Sequence, residues 1–411
     1  MGSIFKNRNF MFMWIAMLLS MTGTFLFLLV LSARLFLQSE SSVLAGGVFA
    51  AQWLPAVFLL PIIAYLCSRF RPVMLLPVLE LLSAVATVAI ALVADWSSYW
   101  IFCLLLLRGS LEATTKSSRF IALKIYIPND LIEKAASVFN TSMYVGAGLG
   151  GLIGTFVVDQ FSLLSIALFD ASTFLLAAIL YRLLGSNRGA EKEAAKATSS
   201  NKNSSIWINI GIILKGDRQL LSYCIYLILI TGFYQGYHVI ARTVIPITLF
   251  DMGVKGVTIY QVVTCLSLVL AGLFVYHCMC GEKRRRFFPL IIFAATSLSM
   301  VMTVISTNYI TGLISYFVFI FLFEVNYTKC MNMIITNKTP EELSILIPFI
   351  NSSSMIAMVL CIFITGKAID TWGLVGVTFV LSGIAFFLAT TISTSIRGIG
   401  VSLKNAIGEK L

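Results

Sequence analysis

The sequence predicts an all-α polytopic membrane protein with twelve transmembrane helices in two pseudo-symmetric six-helix bundles. Three observations lead to this. Apolar stretches of about twenty residues recur from Asn9 to Arg397. Charged residues make up only 11% of the chain while 59% is hydrophobic, and the basic residues gather in alternate loops. Hydrocarbon offers the backbone no hydrogen-bond partner, so each crossing must satisfy its own N–H and C=O groups as a helix of about 20 residues. A soluble domain is roughly 25% charged, and a soluble core of 411 residues would need a polar shell that this composition cannot supply.

In chain order the predicted spans are 9–33, 43–66, 73–94, 98–123, 135–158 and 163–184, then 220–242, 256–277, 288–306, 309–335, 344–367 and 373–396. The first apolar run is too long for the h-region of a signal peptide and lacks a small-residue cleavage site after it, so it is expected to remain as a span. Gly185–Asn203, rich in Ser, Asn, Ala, Lys and Glu, has the composition of a flexible solvated linker. The short apolar stretch Ser205–Leu214, followed closely by Lys215, Asp217 and Arg218, reads as an interfacial helix rather than a span. The expected organisation is therefore a bundle over 1–184, a cytoplasmic linker with its interfacial helix over 185–219, and a second bundle over 220–411.

A net charge of +11 raises the possibility of a nucleic-acid binder, but its distribution argues for a membrane. Lys6 and Arg8, Arg69 and Arg71, Lys134, the run from Arg182 to Arg218, Lys283–Arg286, Lys338, and Lys404 and Lys410 share one side. The opposite loops hold little beyond Arg34, Asp95, Asp159, Lys255 and Lys367. By the positive-inside rule both termini and the central loop are cytoplasmic. The eight cysteines are scattered in or near the spans, with Cys278 and Cys280 the one close pair, so neither a disulfide framework nor a metal site is expected.

The halves resemble each other. Thr22-Gly23 recurs as Thr231-Gly232, Gly47-Val48 as Gly256-Val257, and Gln52 as Gln261; further along, Glu112 recurs as Glu324, Pro128 as Pro340, Asp130 as Glu342, Asn140 as Asn351 and Asp159 as Asp370. Parallel repeats of this kind build several transporter folds around a midplane site.

The fourth span is the most unusual chemically. Arg108, Glu112 and Lys116 are spaced four apart on one helix face, with Arg119 close to the same stripe. Charges at bilayer depth face a cavity or a partner. Two compatible readings follow: a ladder in which Arg108 and Lys116 neutralise Glu112, or a cavity wall that binds substrate and relays protons. Glu324 holds the corresponding place in the tenth span, beside Asn326, Thr328 and Lys329. Burial and a nearby cation act in opposite directions on a carboxylate's affinity for a proton, so such a group can be tuned to take and release one. Glu112 and Glu324 are the leading proton carriers, with Arg108 beside them. Glu80 is secondary, either as a carrier or as the partner of a basic residue, and Asp170 is a further candidate. Substrate-cavity candidates are Arg108, Glu112, Lys116, Asn326, Tyr144 and Phe233, the last two as apolar lining for an amphiphile. His238, a turn from Tyr234 and Arg242, reads as a hydrogen-bonded structural group. Gly146, Gly150 and Gly154 lie on one face of the fifth span and let a neighbouring helix approach closely, for static packing or for rocking. Arg69 and Arg71 suit the role of positive-inside anchors.

Four motifs, Arg69-Phe70-Arg71 after the second span, Leu107-Arg108-Gly109 in the fourth, Gly146-Ala147-Gly148-Leu149-Gly150-Gly151 in the fifth and Asp170-Ala171-Ser172-Thr173-Phe174 in the sixth, together resemble the major facilitator superfamily, and within it the branch of enterobactin and macrolide exporters. The loop after the second span, Ala64-Tyr65-Leu66-Cys67-Ser68-Arg69-Phe70-Arg71-Pro72, keeps the leading arginine and a second basic residue of the family's G-x-L-A-D-R-x-x-R-R but lacks its glycine and aspartate. Leu107-Arg108-Gly109 is similar to the family's L-R-G. Val145-Gly146-Ala147-Gly148-Leu149-Gly150-Gly151 resembles the exporter pattern I-G-P-A-L-G-G with Ala147 in place of proline, and Phe169-Asp170-Ala171-Ser172-Thr173-Phe174 resembles L-D-A-x-T-F. The resemblance implies a glycine-rich fifth span at the interface between halves. It also implies a gating role for Arg69 and Arg71 through ion pairs with nearby helix ends, for which Asp130 and Glu133 are substitute partners now that Ser68 stands in the acidic position. Asp170, in a branch motif, takes a packing or hydrogen-bonding role.

No phosphate-cradling G-x-x-x-x-G-K-[ST], no H-E-x-x-H and no nucleophile–base set occurs, so an enzyme is not expected and no cofactor or metal is implied. The expected function is a secondary active transporter of the bacterial inner membrane, exporting a siderophore or hydrophobic drug in exchange for protons. Its partners are the small-molecule substrate, protons and the lipid bilayer, with a monomer expected and no nucleic acid. An importer of a siderophore or lipid-like solute, or a non-transporting receptor on the same fold, are the alternatives.

Overall fold

The structure is a computed structural model that describes residues 4–128, 131–184, 218–279, 289–337, 340–388 and 390. Helices stand at every predicted crossing. In the first half these are α1 (Arg8–Ser39), α2 (Ser42–Trp53), α3 (Pro55–Phe58), α4 (Leu60–Arg69), α5 (Pro72–Val93), α6 (Ser98–Tyr126), α7 (Ile132–Val157) and α8 (Leu163–Arg182). In the second they are α9 (Arg218–Ile230), α10 (Gly236–Thr248), α11 (Gly253–Met279), α12 (Pro289–Ile305), α13 (Tyr309–Asn337), α14 (Pro340–Trp372) and α15 (Leu374–Leu388). The expected interfacial helix over 205–214, Asp130, and the basic run Lys283–Arg286 lie outside the described residues.

Among the described residues, seven helical stretches, one of them running from α9 through α10, are long and apolar enough to cross a membrane, an eighth crossing is a bent pair, and 142–157, 291–305 and 374–388 are shorter apolar helices. The remaining crossing is α6, set apart by the four charges Arg108, Glu112, Lys116 and Arg119.

Among the described residues, two crossings are interrupted. The second bends by 67° between α2–α3 and α4. Pro55 and Pro61 open α3 and α4, and a proline has no N–H to give the preceding turn while its ring crowds the carbonyl there. In the seventh, a π-helical turn at Thr231–Gln235 joins α9 to α10, and Gly236 N–H reaches the carbonyls of both Gly232 and Phe233.

The chain forms two compact units, one of Met1–Lys202 with Asp251–Cys265, the other of Asn203–Phe250 with Leu266–Leu411. In the first unit α1 packs along α7 and α8, and α5 lies between α6 and α8. Its core includes Phe10, Met13, Met17, Tyr126, Phe139 and Tyr181, all buried. Trp14 Nε1 donates to Ser142 Oγ at 2.7 Å, tying α1 to α7. Glycines set the spacing of this pair: a Cβ on Gly146 would meet Met21 and the Leu18 carbonyl, and one on Gly150 would meet the Thr22 carbonyl and the Leu26 amide. Gly154 shares the face, against Leu26 and Thr258. In the second unit the close approach is built from the other helix. Gly232 and Gly236, in the seventh crossing, abut Ala357 and Cys361 of α14. There Tyr234 sits among the rings of Phe293, Phe319 and Phe323 at 5.1, 5.8 and 6.3 Å.

Candidate functional site

The charged crossing α6 starts on Ser97, whose hydroxyl accepts the Tyr99 N–H at 3.3 Å. Its four charged side chains have different fates. Arg108 and Arg119 are each 1% exposed, Glu112 is half-buried and Lys116 is exposed. Helical geometry explains the sorting: a four-residue step advances the stripe by about 40°, whereas eleven residues return to within about 20°. Arg108 and Arg119 therefore share one meridian of α6, and Lys116 has drifted off it.

Arg108 is held from four helices. Its Nη2 donates to Asp170 Oδ2 on α8 at 2.8 Å and to Thr24 Oγ1 on α1 at 3.1 Å. Nε donates to Thr87 Oγ1 on α5 at 2.9 Å, and Nη1 to Gln52 Oε1 on α2 at 3.4 Å. Thr87 in turn donates to Asp170 Oδ2 at 3.3 Å. The rings of Phe27 and Phe174 cover the guanidinium, their centroids 5.5 and 5.4 Å from Cζ. Two glycines make the room. A Cβ at Gly109 would strike the backbone of Ala51 and Gln52, and one at Gly23 would strike the Asp170 carboxylate and Thr173. The motifs Thr22-Gly23, Leu107-Arg108-Gly109 and Asp170-Ala171-Ser172-Thr173-Phe174, remote in sequence, thus meet around one ion pair. Asp170 Oδ1 is buried there with no hydrogen-bond donor among the described residues.

Arg119 repeats the arrangement three turns along. Nη2 donates to Glu80 Oε1 on α5 at 2.7 Å and to Ser20 Oγ on α1 at 3.0 Å, and Nε donates to Tyr181 Oη on α8 at 2.9 Å. Ser20 also donates to Glu80 Oε2 at 3.3 Å. Glu112 Oε1 lies 3.6 Å from Nη1, beyond hydrogen-bonding distance, and its side chain is 17% exposed. The expected ladder of Arg108 and Lys116 around Glu112 is therefore built differently: Arg108 pairs with Asp170, and the nearest cation to Glu112 is Arg119. Glu80 is thus ion-paired with Arg119.

In the second unit, Glu324 on α13 is half-buried, accepts Thr328 Oγ1 at 2.8 Å, and has no ion pair among the described residues. Asn326 is buried and exchanges two bonds with Tyr226, Nδ2 to Oη at 2.8 Å and Oη to Oδ1 at 3.1 Å. His238 Nδ1 is 2.6 Å from Tyr316 Oη, as a hydrogen-bonded structural histidine would be. Phe233 lines a small apolar pocket with Tyr226, Leu229, Ile230 and Phe293. In the first unit Tyr144 is 45% exposed. Arg69 and Arg71 are exposed at the α4–α5 turn, and the Glu133 side chain lies outside what is described.

Ser20, Thr24, Thr87 and Tyr181 were not singled out in the sequence, yet each holds an arginine. Their spacing carried a signal: Ser20 and Thr24, Glu80 and Thr87, and Asp170 and Tyr181 are four, seven and eleven apart, each a same-face interval on its helix.

Among solved structures, the chain is similar to the nucleoside transporter NupG, with a TM-score of 0.73 at 11% identity, covering 94% of this chain and 98% of that one. A POT family transporter in complex with 5-aminolevulinic acid gives 0.72 at 12% identity, covering 96% and 97%. A D-xylose-proton symporter gives 0.70 at 13%, covering 94% and 96%. These likenesses show the fold. No curated protein matches the sequence. The sequence profile of the Major Facilitator Superfamily matches residues 13–346. With the all-helical fold, the charged fourth crossing and this match over most of its length, the chain belongs to the Major Facilitator Superfamily and is a membrane transporter rather than an enzyme.

Proposed function

We propose that this transporter moves a small amphiphilic molecule, a siderophore or a hydrophobic drug, out across the bacterial cytoplasmic membrane by alternating access driven by protons. The observation that carries proton coupling is the contrast among the intramembrane carboxylates. Glu80 and Asp170 are clamped by short hydrogen bonds to arginines. Glu112 stands 3.6 Å from its nearest arginine, and among the described residues Glu324 has one intrahelical hydroxyl partner. A group that carries a proton has to take it from water on one side and release it on the other, which a clamped carboxylate does poorly and a loosely held one does well. Glu112 and Glu324 occupy matching positions in the two halves, as a coupling pair in a repeat-built carrier would. Arg108 holds the helix that presents Glu112. Within the first unit, Lys116, exposed on that helix, and Tyr144 are the further substrate candidates; within the second, Phe233 lines an apolar pocket with Tyr226, to which the buried Asn326 is hydrogen-bonded. The exporter direction rests on the branch resemblance of the fourth, fifth and sixth crossings.

The test measures how much iron chelator and fluorescent cationic dye cells retain with and without the protein, each with and without a proton uncoupler. Lower retention that the uncoupler abolishes is expected, and the compound that responds gives the substrate class. Glu112→Gln and Glu324→Gln should each remove the pH-driven effect while the protein stays folded in the membrane. Normal transport by both variants would refute the carrier assignment, and higher retention in cells carrying the protein would make it an importer.

A further inference from the structure

The outward faces of α5 and α8 form a groove of about 580 Å³, within the range of about 300–1,000 Å³ that ligand pockets occupy. Met74, Val78 and Leu81 of α5 and Leu175 and Ile179 of α8 line it, each between 45% and 58% exposed. Inward-facing neighbours on the same helices, Glu80 and Tyr181, are buried in the Arg119 network. The groove has a charged end. Arg182, in the last turn of α8, lines it, is exposed, and makes no ion pair with any described residue. The helices run antiparallel, so this is also the end where α5 begins, next to exposed Arg71.

The wall and its end call for different chemistry in one molecule. Apolar side chains at bilayer depth are satisfied by an acyl chain, whereas a cation at the rim with no carboxylate partner among the described residues draws an anion. A basic site between membrane helices fits an anionic headgroup. We propose that the α5–α8 groove is a binding site for an anionic phospholipid, with an acyl chain along Met74, Val78, Leu81, Leu175 and Ile179 and the phosphate on Arg182. The bound lipid would cover the back of the two helices that hold Glu80 and Tyr181 against Arg119.

The full-length protein is exchanged into micelles containing equal amounts of phosphatidylglycerol and phosphatidylcholine with identical chains, and retained lipid is counted by native mass spectrometry. Wild type should retain phosphatidylglycerol preferentially. Arg182→Gln should lower that retention about fivefold, the worth of one basic residue beside an anionic bilayer surface, and leave phosphatidylcholine unchanged. Val78→Trp, which fills the groove, should lower both lipids, and Leu360→Trp on an exposed face of α14 should lower neither. Equal retention of the two lipids by wild type, or an Arg182→Gln protein that behaves like wild type, overturns the proposal. A phosphatidylglycerol bearing a diazirine in its acyl chain should crosslink within 72–93 or 163–182; crosslinks confined to other helices would also overturn it. Micelles have no sides, so these outcomes do not depend on the membrane orientation or on transport.

Discussion

Arg108 and Asp170 are 1% and 0% exposed, and their pairing at 2.8 Å is completed by Thr24, Thr87 and Gln52. A buried pair of this kind adds little net stability over an apolar pair of the same shape, but removing one partner strands a charge and costs about 3–5 kcal/mol. Asp170→Asn or Arg108→Met alone should therefore lower the thermal midpoint of the purified protein sharply, while the double variant Arg108→Met with Asp170→Leu should recover most of the loss. A double variant whose losses simply add would show that the two residues act independently. Surface pairing is a separate matter. Arg34 and Asp95 are 2.5 Å apart with side chains 33% and 70% exposed, and an ion pair in that setting contributes about 0–1 kcal/mol.

At the level of elements, glycine decides how closely crossings approach. Gly150 leaves no space for a methyl group, since a Cβ would fall against the backbone of Thr22 and Leu26, whereas a Cβ on Gly272 in α11 meets nothing within 4 Å. Gly150→Ala should destabilise the α1–α7 pair by about 1–3 kcal/mol through overpacking. Gly272→Ala should cause no loss, since alanine is the better helix former by about 1 kcal/mol. Thermal unfolding of the two variants side by side decides it, and equal destabilisation would contradict the packing account. The glycine stripe was legible from its spacing of four. Which helix it would meet was not, because a small-residue face fits any partner of suitable shape. The bend in the second crossing was missed although Pro55 and Pro61 mark it, because hydropathy runs through both prolines without interruption.

For the whole molecule, an even number of crossings with basic loops on one side predicts that both termini share the cytoplasm. In a protein stripped of its eight native cysteines, Trp96→Cys and Trp372→Cys, both at 78% exposed positions, should react with a membrane-impermeant maleimide in intact cells. Phe70→Cys, beside Arg69 and Arg71, should react only after permeabilisation. Labelling of all three in intact cells would refute the proposed orientation. The repeat extends to this scale unevenly. Glu112 and Glu324 both carry carboxylates in long charged helices, but Gln52 serves Arg108 while its counterpart Gln261 donates to Cys265 Sγ at 3.2 Å within its own helix.

The amino-acid pattern alone determined that this is a helical membrane protein, where its crossings lie, and which crossing carries charge. Each of those properties depends on local composition and on the backbone's need for hydrogen bonds in hydrocarbon. Tertiary structure decided who pairs with whom. Arg108 met Asp170, sixty-two residues away, rather than Glu112 on its own helix, and Arg119 met Glu80 and Tyr181. Side chains four residues apart on a helix point the same way, so a neighbouring helix offers the partner that faces them, and only the packing of α1, α5 and α8 around α6 determines which residue that is.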